Sequence, residues 1–158
     1  MTALSSGRYE IIHYAGHAQF DPTNPDASVW VLHDGSLSAT EIQQNVEGNP
    51  PSLVYASACE AGREDTWAGL RYRRQLHGLA SAFLQGGVGN YIGGFWPIPD
   101  KDSPALAAYF YGHFLRGTPV AEAMRRAKSQ LAACGGDPLL WGGITLFGDP
   151  GTQLSTPT

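Results

Sequence analysis

Two residues of this 158-residue chain have the types needed for covalent chemistry at a carbonyl: Cys59 and His17. A thiolate, not a thiol, is the nucleophile, and a free cysteine is mostly protonated at neutral pH. A neighbouring imidazole takes that proton or stabilises the thiolate, then returns a proton to the leaving amine. The tetrahedral oxyanion that forms in between needs backbone N–H donors already in place. Small residues flank both groups: Ala15, Gly16 and Ala18 on one side, Ala58, Ala61 and Gly62 on the other. They leave room for a substrate backbone, and the N–H groups of Ala18 and Cys59 are the candidate oxyanion donors. The competing reading is plain structure. Free cysteines are among the most buried residues, and a histidine at a turn is often simply satisfied there.

Other chemistries fit less well. His13 and His17 have a spacing that suits metal ligands on a helix, but the segment reads as a strand and lacks the glutamate of a metalloprotease motif. No metal or other cofactor is expected. A serine hydrolase built on Ser57 lacks the Gly-x-Ser-x-Gly elbow, and Ser57 precedes the strand end. Gly86, Gly87 and Gly89 are followed by no Gly-Lys-Ser/Thr, so they make no phosphate loop. Cys134 sits at a helix end and reads as inert, while His33, His77 and His113 read as surface or cap residues.

The elements that must position the pair follow from local pattern. Residues Tyr9 to Ala15 read as a buried strand ending at Gly16-His17, with apolar residues on both faces. Asp34-Gly35 signals a hairpin between Val29–Leu32 and Gly35–Leu37. Ser38 and Glu41 have the form of a capping box, with a helix to about Val46 and a stop at Gly48-Asn49-Pro50-Pro51. Ser52 to Ala58 is a second buried strand that delivers Cys59 at its end. A helix over Leu76–Leu84 and a third strand over Val88–Phe95 follow. Ser103-Pro104 and Thr118-Pro119 each combine an N-cap hydroxyl with proline at the first helical position. They start helices to about Arg116 and Ala133, and Ile144–Phe147 is a last strand. Strands alternating with helices imply an α/β fold with a parallel sheet covered on both faces. Sites in such sheets form at the carboxyl ends of strands. His17 and Cys59 both fall just past such an end.

Composition narrows the class. The length suits one domain, residues 1–158, and 42% hydrophobic residues suffice for a core. A net charge of −4 with 15% charged residues argues against a nucleic-acid partner. No apolar run reaches the roughly 18–20 residues that span a bilayer, and the first eight residues lack the apolar stretch of a secretory signal. No membrane partner is therefore expected. Two separate thiols fit a reducing compartment such as the cytoplasm. Twenty glycines, against a usual share of about 7%, cluster at segment ends and suggest tight strand-to-helix turns.

Ser57-Ala58-Cys59-Glu60-Ala61-Gly62 resembles the Gln-Ala-Cys-x-Gly signature of caspases, whose histidine lies about 50 residues upstream. The chain more closely resembles the CHAT domains, caspase-like domains related to separases. The segments that carry the resemblance are His13-Tyr14-Ala15-Gly16-His17, Leu53 to Gly62, Tyr91-Ile92-Gly93-Gly94-Phe95-Trp96, Ala105 to Gly117, Val120 to Ala127, and Leu146-Phe147-Gly148-Asp149-Pro150. They run in order through nearly the whole chain. The resemblance implies a caspase–haemoglobinase-like three-layer sandwich with a mostly parallel sheet, and a Cys59–His17 dyad. Two departures stand out. The family usually has glycine after the histidine, where this chain has Ala18. A full domain of this type carries further strands before the histidine strand, so the chain resembles the carboxyl-terminal two-thirds of one.

Phe95 to Asp102 resembles the Trp-x-x-x-Asp-Lys-Asp segment of separases. By that resemblance Asp100 receives a basic substrate side chain, which a carboxylate can hold through two parallel hydrogen bonds to arginine. Trp96 walls a neighbouring subsite, and Asp102 is a second acidic candidate that could instead assist the start of the Ser103 helix. The expected function is a cysteine endopeptidase that hydrolyses a protein or peptide after a basic residue, most simply arginine. An arginine of the stretch after Cys59 (Arg63, Arg71, Arg73 or Arg74) could be a self-cleavage site. The alternative is a catalytically weak caspase-like module for docking or signalling. The resemblance also implies repeat-containing or NTPase regulatory domains as partners, in bacterial signalling or defence.

Overall fold

The structure is a computed structural model. It describes residues 2–21, 23–60, 78–94 and 100–154, with residues 2, 3 and 58–60 described through the backbone alone. A short helix α1 (Thr2–Ser5) precedes strand β1 (Ile11–Gln19), and β2 (Val29–Leu32) and β3 (Gly35–Ser38) form a hairpin. Helix α2 (Ala39–Val46) leads to β4 (Leu53–Glu60); residues 78–85 are helical (α3), and β5 is Asn90–Gly94. The chain closes with α4 (Ser103–Phe114), α5 (Val120–Ala133), α6 (Pro138–Gly143) and β6 (Ile144–Gly148).

The sheet order is β3-β2-β1-β4-β5-β6. β1, β4 and β5 are mutually parallel at its centre, while β2, β3 and β6 join through antiparallel pairs. Thus β1, β3, β4 and β5 run one way and β2 and β6 the other. Alternation along β4 and β5 feeds two cores. Val54, Ala56 and Tyr91 pack with Ile42 and Val46 of α2 and Leu79 and Phe83 of α3. Leu53, Tyr55 and Ile92 pack with Leu106 and Phe110 of α4, Ala123 and Met124 of α5, and Leu140 of α6. These are three layers, as the α/β reading expects. Phe83, Phe110 and Ile92 are each fully buried, and each such side chain contributes about 1.5–3 kcal/mol of transfer free energy.

Local signals held where their partners are local. The Ser38 hydroxyl accepts from the Glu41 N–H at 3.2 Å, and the Glu41 carboxylate accepts from the Ser38 N–H at 2.9 Å. Ser38's backbone N–H, then its hydroxyl, hold the Glu41 carboxyl below its ordinary pKa. The hairpin turns through His33-Asp34, with Gly35 already paired to Leu32.

Several elements differ from the expectation. β1 does not stop at Gly16 but continues to Gln19, because β2 folds back along it and pairs His17 with Val31, Ala18 with Trp30 and Gln19 with Val29. Nor is β1 covered on both faces among the described residues: His13, Ala15, His17 and Gln19 are exposed, whereas Ala18 is buried. Helix α5 starts at Val120, with Pro119 extended at the cap rather than inside the helix. Carbonyls of the later chain take the capping role expected of Thr118: Val120 N–H donates to Thr152 O at 2.9 Å and Ala121 N–H to Pro150 O at 3.3 Å. Helix α6 was not foreseen, although Asp137-Pro138 is a start signal of the same kind, and the Asp137 carboxylate accepts from the Leu139 N–H at 2.8 Å. Helix α4 begins at Ser103 itself, with consequences for the site.

Candidate active site

β1 and β4 lie side by side and parallel, in a register that runs from Ile11 opposite Leu53 to Ala18 opposite Glu60. Within it His17 stands directly opposite Cys59. Register partners on parallel strands share a face, and adjacent strands are about 4.8 Å apart. The same register sets His13 beside Tyr55, whose rings stack at 5.0 Å and 13°. The two proposed reactive positions are therefore neighbours near the carboxyl ends of two central strands. They lie within the strands rather than just past them, as the hairpin and the extension of β4 to Glu60 dictate.

His17 is exposed, and its backbone is held from the opposite face of the strand. Tyr14 lies under β1, stacked on Trp30 at 4.1 Å and 12°. Its hydroxyl is 2.7 Å from the carbonyl oxygen of His17 and 2.7 Å from that of Val31, donating one proton between them. Burial raises the Tyr14 phenol above its ordinary pKa, so it remains a donor. The ring has room because residue 16 is glycine: a Cβ there would come within 2.7 Å of the hydroxyl oxygen and 2.8 Å of Cζ. The Ala18 position, assigned to the oxyanion hole, is wholly buried between Trp30 on β2 and Glu60 on β4.

Two residues before Cys59, the Ser57 hydroxyl pairs with that of Ser103 at 2.7 Å. Ser103 was expected to cap α4. Its hydroxyl instead ties the helix start to β4, the N-cap position passes to Asp102, and no side chain caps the helix. Asp102 contributes otherwise: one carboxylate oxygen accepts from the Asp137 N–H at 3.0 Å, joining the starts of α4 and α6. Asp100 is exposed two residues earlier, and its carbonyl accepts from the Ser103 N–H at 3.2 Å. Trp96, Arg63, Arg71, Arg73, Arg74 and His77 lie outside the described residues, as does the side chain of Cys59.

His13 is not placed to join His17 on an ion. Four residues along a strand separate their Cα atoms by about 13 Å. Its Nδ1 lies 3.0 Å from the Tyr111 hydroxyl, and partial burial lowers its pKa below the ordinary histidine value. Among the described residues no cluster of His, Cys, Asp and Glu could hold a metal. No described helix is long and apolar enough to cross a membrane. Cys134 is exposed at the end of α5, with Sγ 3.9 Å from the Tyr109 hydroxyl.

Residues 1–149 match the family model of the CHAT domain. The chain belongs to the CHAT domain family. That membership agrees with a caspase-like sandwich and relates the chain to a family of peptidase character. No curated protein matches the sequence. The residues of this CHAT domain to which sequence reasoning gave no part at the site are Tyr14 and Ser103. The Tyr14-x-Gly16 spacing was a usable signal for the first, since an aromatic ring can lie over a glycine two positions along a strand. β5 repeats the arrangement, with Tyr91 lying where a Cβ on Gly93 would meet its ring at 2.7 Å.

Proposed function

We propose that this CHAT domain is a cysteine endopeptidase that cleaves after a basic residue, with Cys59 as nucleophile and His17 as its base and acid. The observation that carries the reading is the in-register pairing of His17 with Cys59 on adjacent parallel strands. The Cys59 thiolate attacks the scissile carbonyl, and the electron pair of the C=O bond moves to oxygen, where the N–H groups of Ala18 and Cys59 receive it. Collapse of this intermediate breaks the C–N bond as His17 protonates the leaving amine. Water, deprotonated by His17, then attacks the thioester; the acid product leaves and the thiol is restored.

Asp100 is the carboxylate assigned to the basic side chain. It is exposed and sits just before the start of α4, which the Ser57–Ser103 pair fastens to the strand bearing Cys59. Asp102 is a weaker candidate, since one of its oxygens already serves Asp137. Trp96 is assigned to the wall of the adjoining subsite. The burial of Ala18 between two strands favours a second reading, a docking module of low activity, because its N–H points into the plane of the sheet.

An irreversible electrophilic peptide ending in arginine separates the two. Peptidase function requires that it label the wild-type chain and spare Cys59→Ala. A folded wild type that takes no label supports docking. An Asp100→Asn chain that still labels with arginine preferred over leucine removes Asp100 from the specificity site.

A further inference from the structure

The geometry points to Tyr14 as a positioning residue for the candidate active site, its hydroxyl fixing the His17–Ala18 peptide from beneath the sheet. The inference rests on the assignment of His17 and Cys59 as a dyad and adds a residue that touches neither substrate nor thiol.

Three observations converge on Tyr14. Its hydroxyl donates to the His17 carbonyl and, in the same three-centre bond, to the Val31 carbonyl of β2. Its ring cannot retreat, being stacked on Trp30, which in turn packs on Phe83 at 4.8 Å. Gly16 opens the space through which the ring passes, and any larger residue there would fill it. A surface tyrosine would wander among rotamers; this one is pinned at both ends.

The carbonyl it holds belongs to a planar trans unit, in which C=O and N–H point in opposite directions. The carbonyl end is on the β2 side, since it shares one hydroxyl with Val31. The N–H end, on Ala18, is therefore directed toward β4, where Glu60 is its register partner and Cys59 the residue before. One hydroxyl thus sets two features at once. It fixes the Cα from which the imidazole of His17 projects, and it holds the His17–Ala18 peptide in the register that sets His17 opposite Cys59. Neither effect needs Tyr14 to ionise, and burial keeps it protonated.

The test is the pH dependence of Cys59 alkylation by iodoacetamide in a Cys134→Ser background, which reads the thiolate without needing a substrate. A dyad keeps wild-type Cys59 reactive below the ordinary thiol range, and His17→Ala removes that low-pH reactivity. Tyr14→Phe deletes the hydroxyl alone. It is expected to cut the low-pH rate about 5–10-fold, the worth of roughly one hydrogen bond, with circular dichroism unchanged. Where an arginyl substrate is turned over, kcat should fall by a similar factor with KM held.

If His17→Ala leaves the alkylation profile unaltered, the dyad itself is wrong. If His17→Ala abolishes low-pH reactivity while Tyr14→Phe matches wild type, the dyad stands and the positioning role is overturned. If a Tyr14→Phe chain loses its fold, Tyr14→Met, which fills the same space with no donor group, must show the same selective loss, and wild-type reactivity there overturns the role equally.

Discussion

Gly16→Ala is the substitution whose outcome the structure fixes most closely. The backbone at Gly16 is ordinary strand, so alanine meets no conformational barrier there. The obstacle is Tyr14. An alanine Cβ would lie 2.7 Å from the Tyr14 hydroxyl oxygen and 2.8 Å from Cζ, about 1 Å inside the usual contact of roughly 3.5–4.0 Å. Trp30 stacks on the ring 4.1 Å away, so the ring cannot move aside without unpacking that contact. Overpacking of this kind costs about 1–3 kcal/mol. For a domain of this size that is a fall in Tm of about 2–12 °C. Thermal unfolding of wild type, Gly16→Ala, Tyr14→Ala and the double variant makes a complete double-mutant cycle. In the Tyr14→Ala background the ring is gone, and Gly16→Ala should be neutral or stabilising by up to about 1 kcal/mol, as glycine replacement is at compatible sites. An equal loss in both backgrounds, or no loss in either, would refute the packing argument and the Tyr14 geometry with it.

Two further outcomes follow from the opposite face of the sheet. Burial lowers the His13 pKa, so between its folded and unfolded values the unfolded chain binds more protons, and stability falls as pH drops below about 6.5. Urea midpoints from pH 7.5 to 5 should therefore decline more steeply in wild type than in His13→Gln, and parallel curves would contradict this. Ser103→Ala strands the Ser57 hydroxyl and should cost about 1 kcal/mol in urea unfolding. Adding Ser57→Ala should cost less than the two single changes summed, and strict additivity would show that the bond contributes nothing.

Much of this architecture was legible because its causes are local. The Ser38–Glu41 capping box needs only the four residues that make it, and the turn at His33-Asp34 only its own two and Gly35. Alternating and continuous apolar runs identified the central strands, and the types of Cys59 and His17 named the chemistry. Family resemblance extended this to a fold, which the CHAT match and the layered structure agree with.

What tertiary structure decided was where nonlocal partners compete for the same group. The Ser103 hydroxyl has the sequence of an N-cap, yet Ser57 on strand β4 takes it. Thr118 lost its expected role because Thr152 and Pro150 brought carbonyls to the start of α5. His17 looked like a turn residue until β2 returned to pair with it and prolonged β1. Register is the deepest of these decisions. Nothing in the local pattern around either residue sets His17 opposite Cys59 rather than opposite Ala58. A slip by one position would turn β4's core side chains to the other face, so the cores on both faces of β4 fix the pairing. The sequence by itself thus singled out the two residues as candidates; the packing of distant segments decided that they stand opposite each other on adjacent strands.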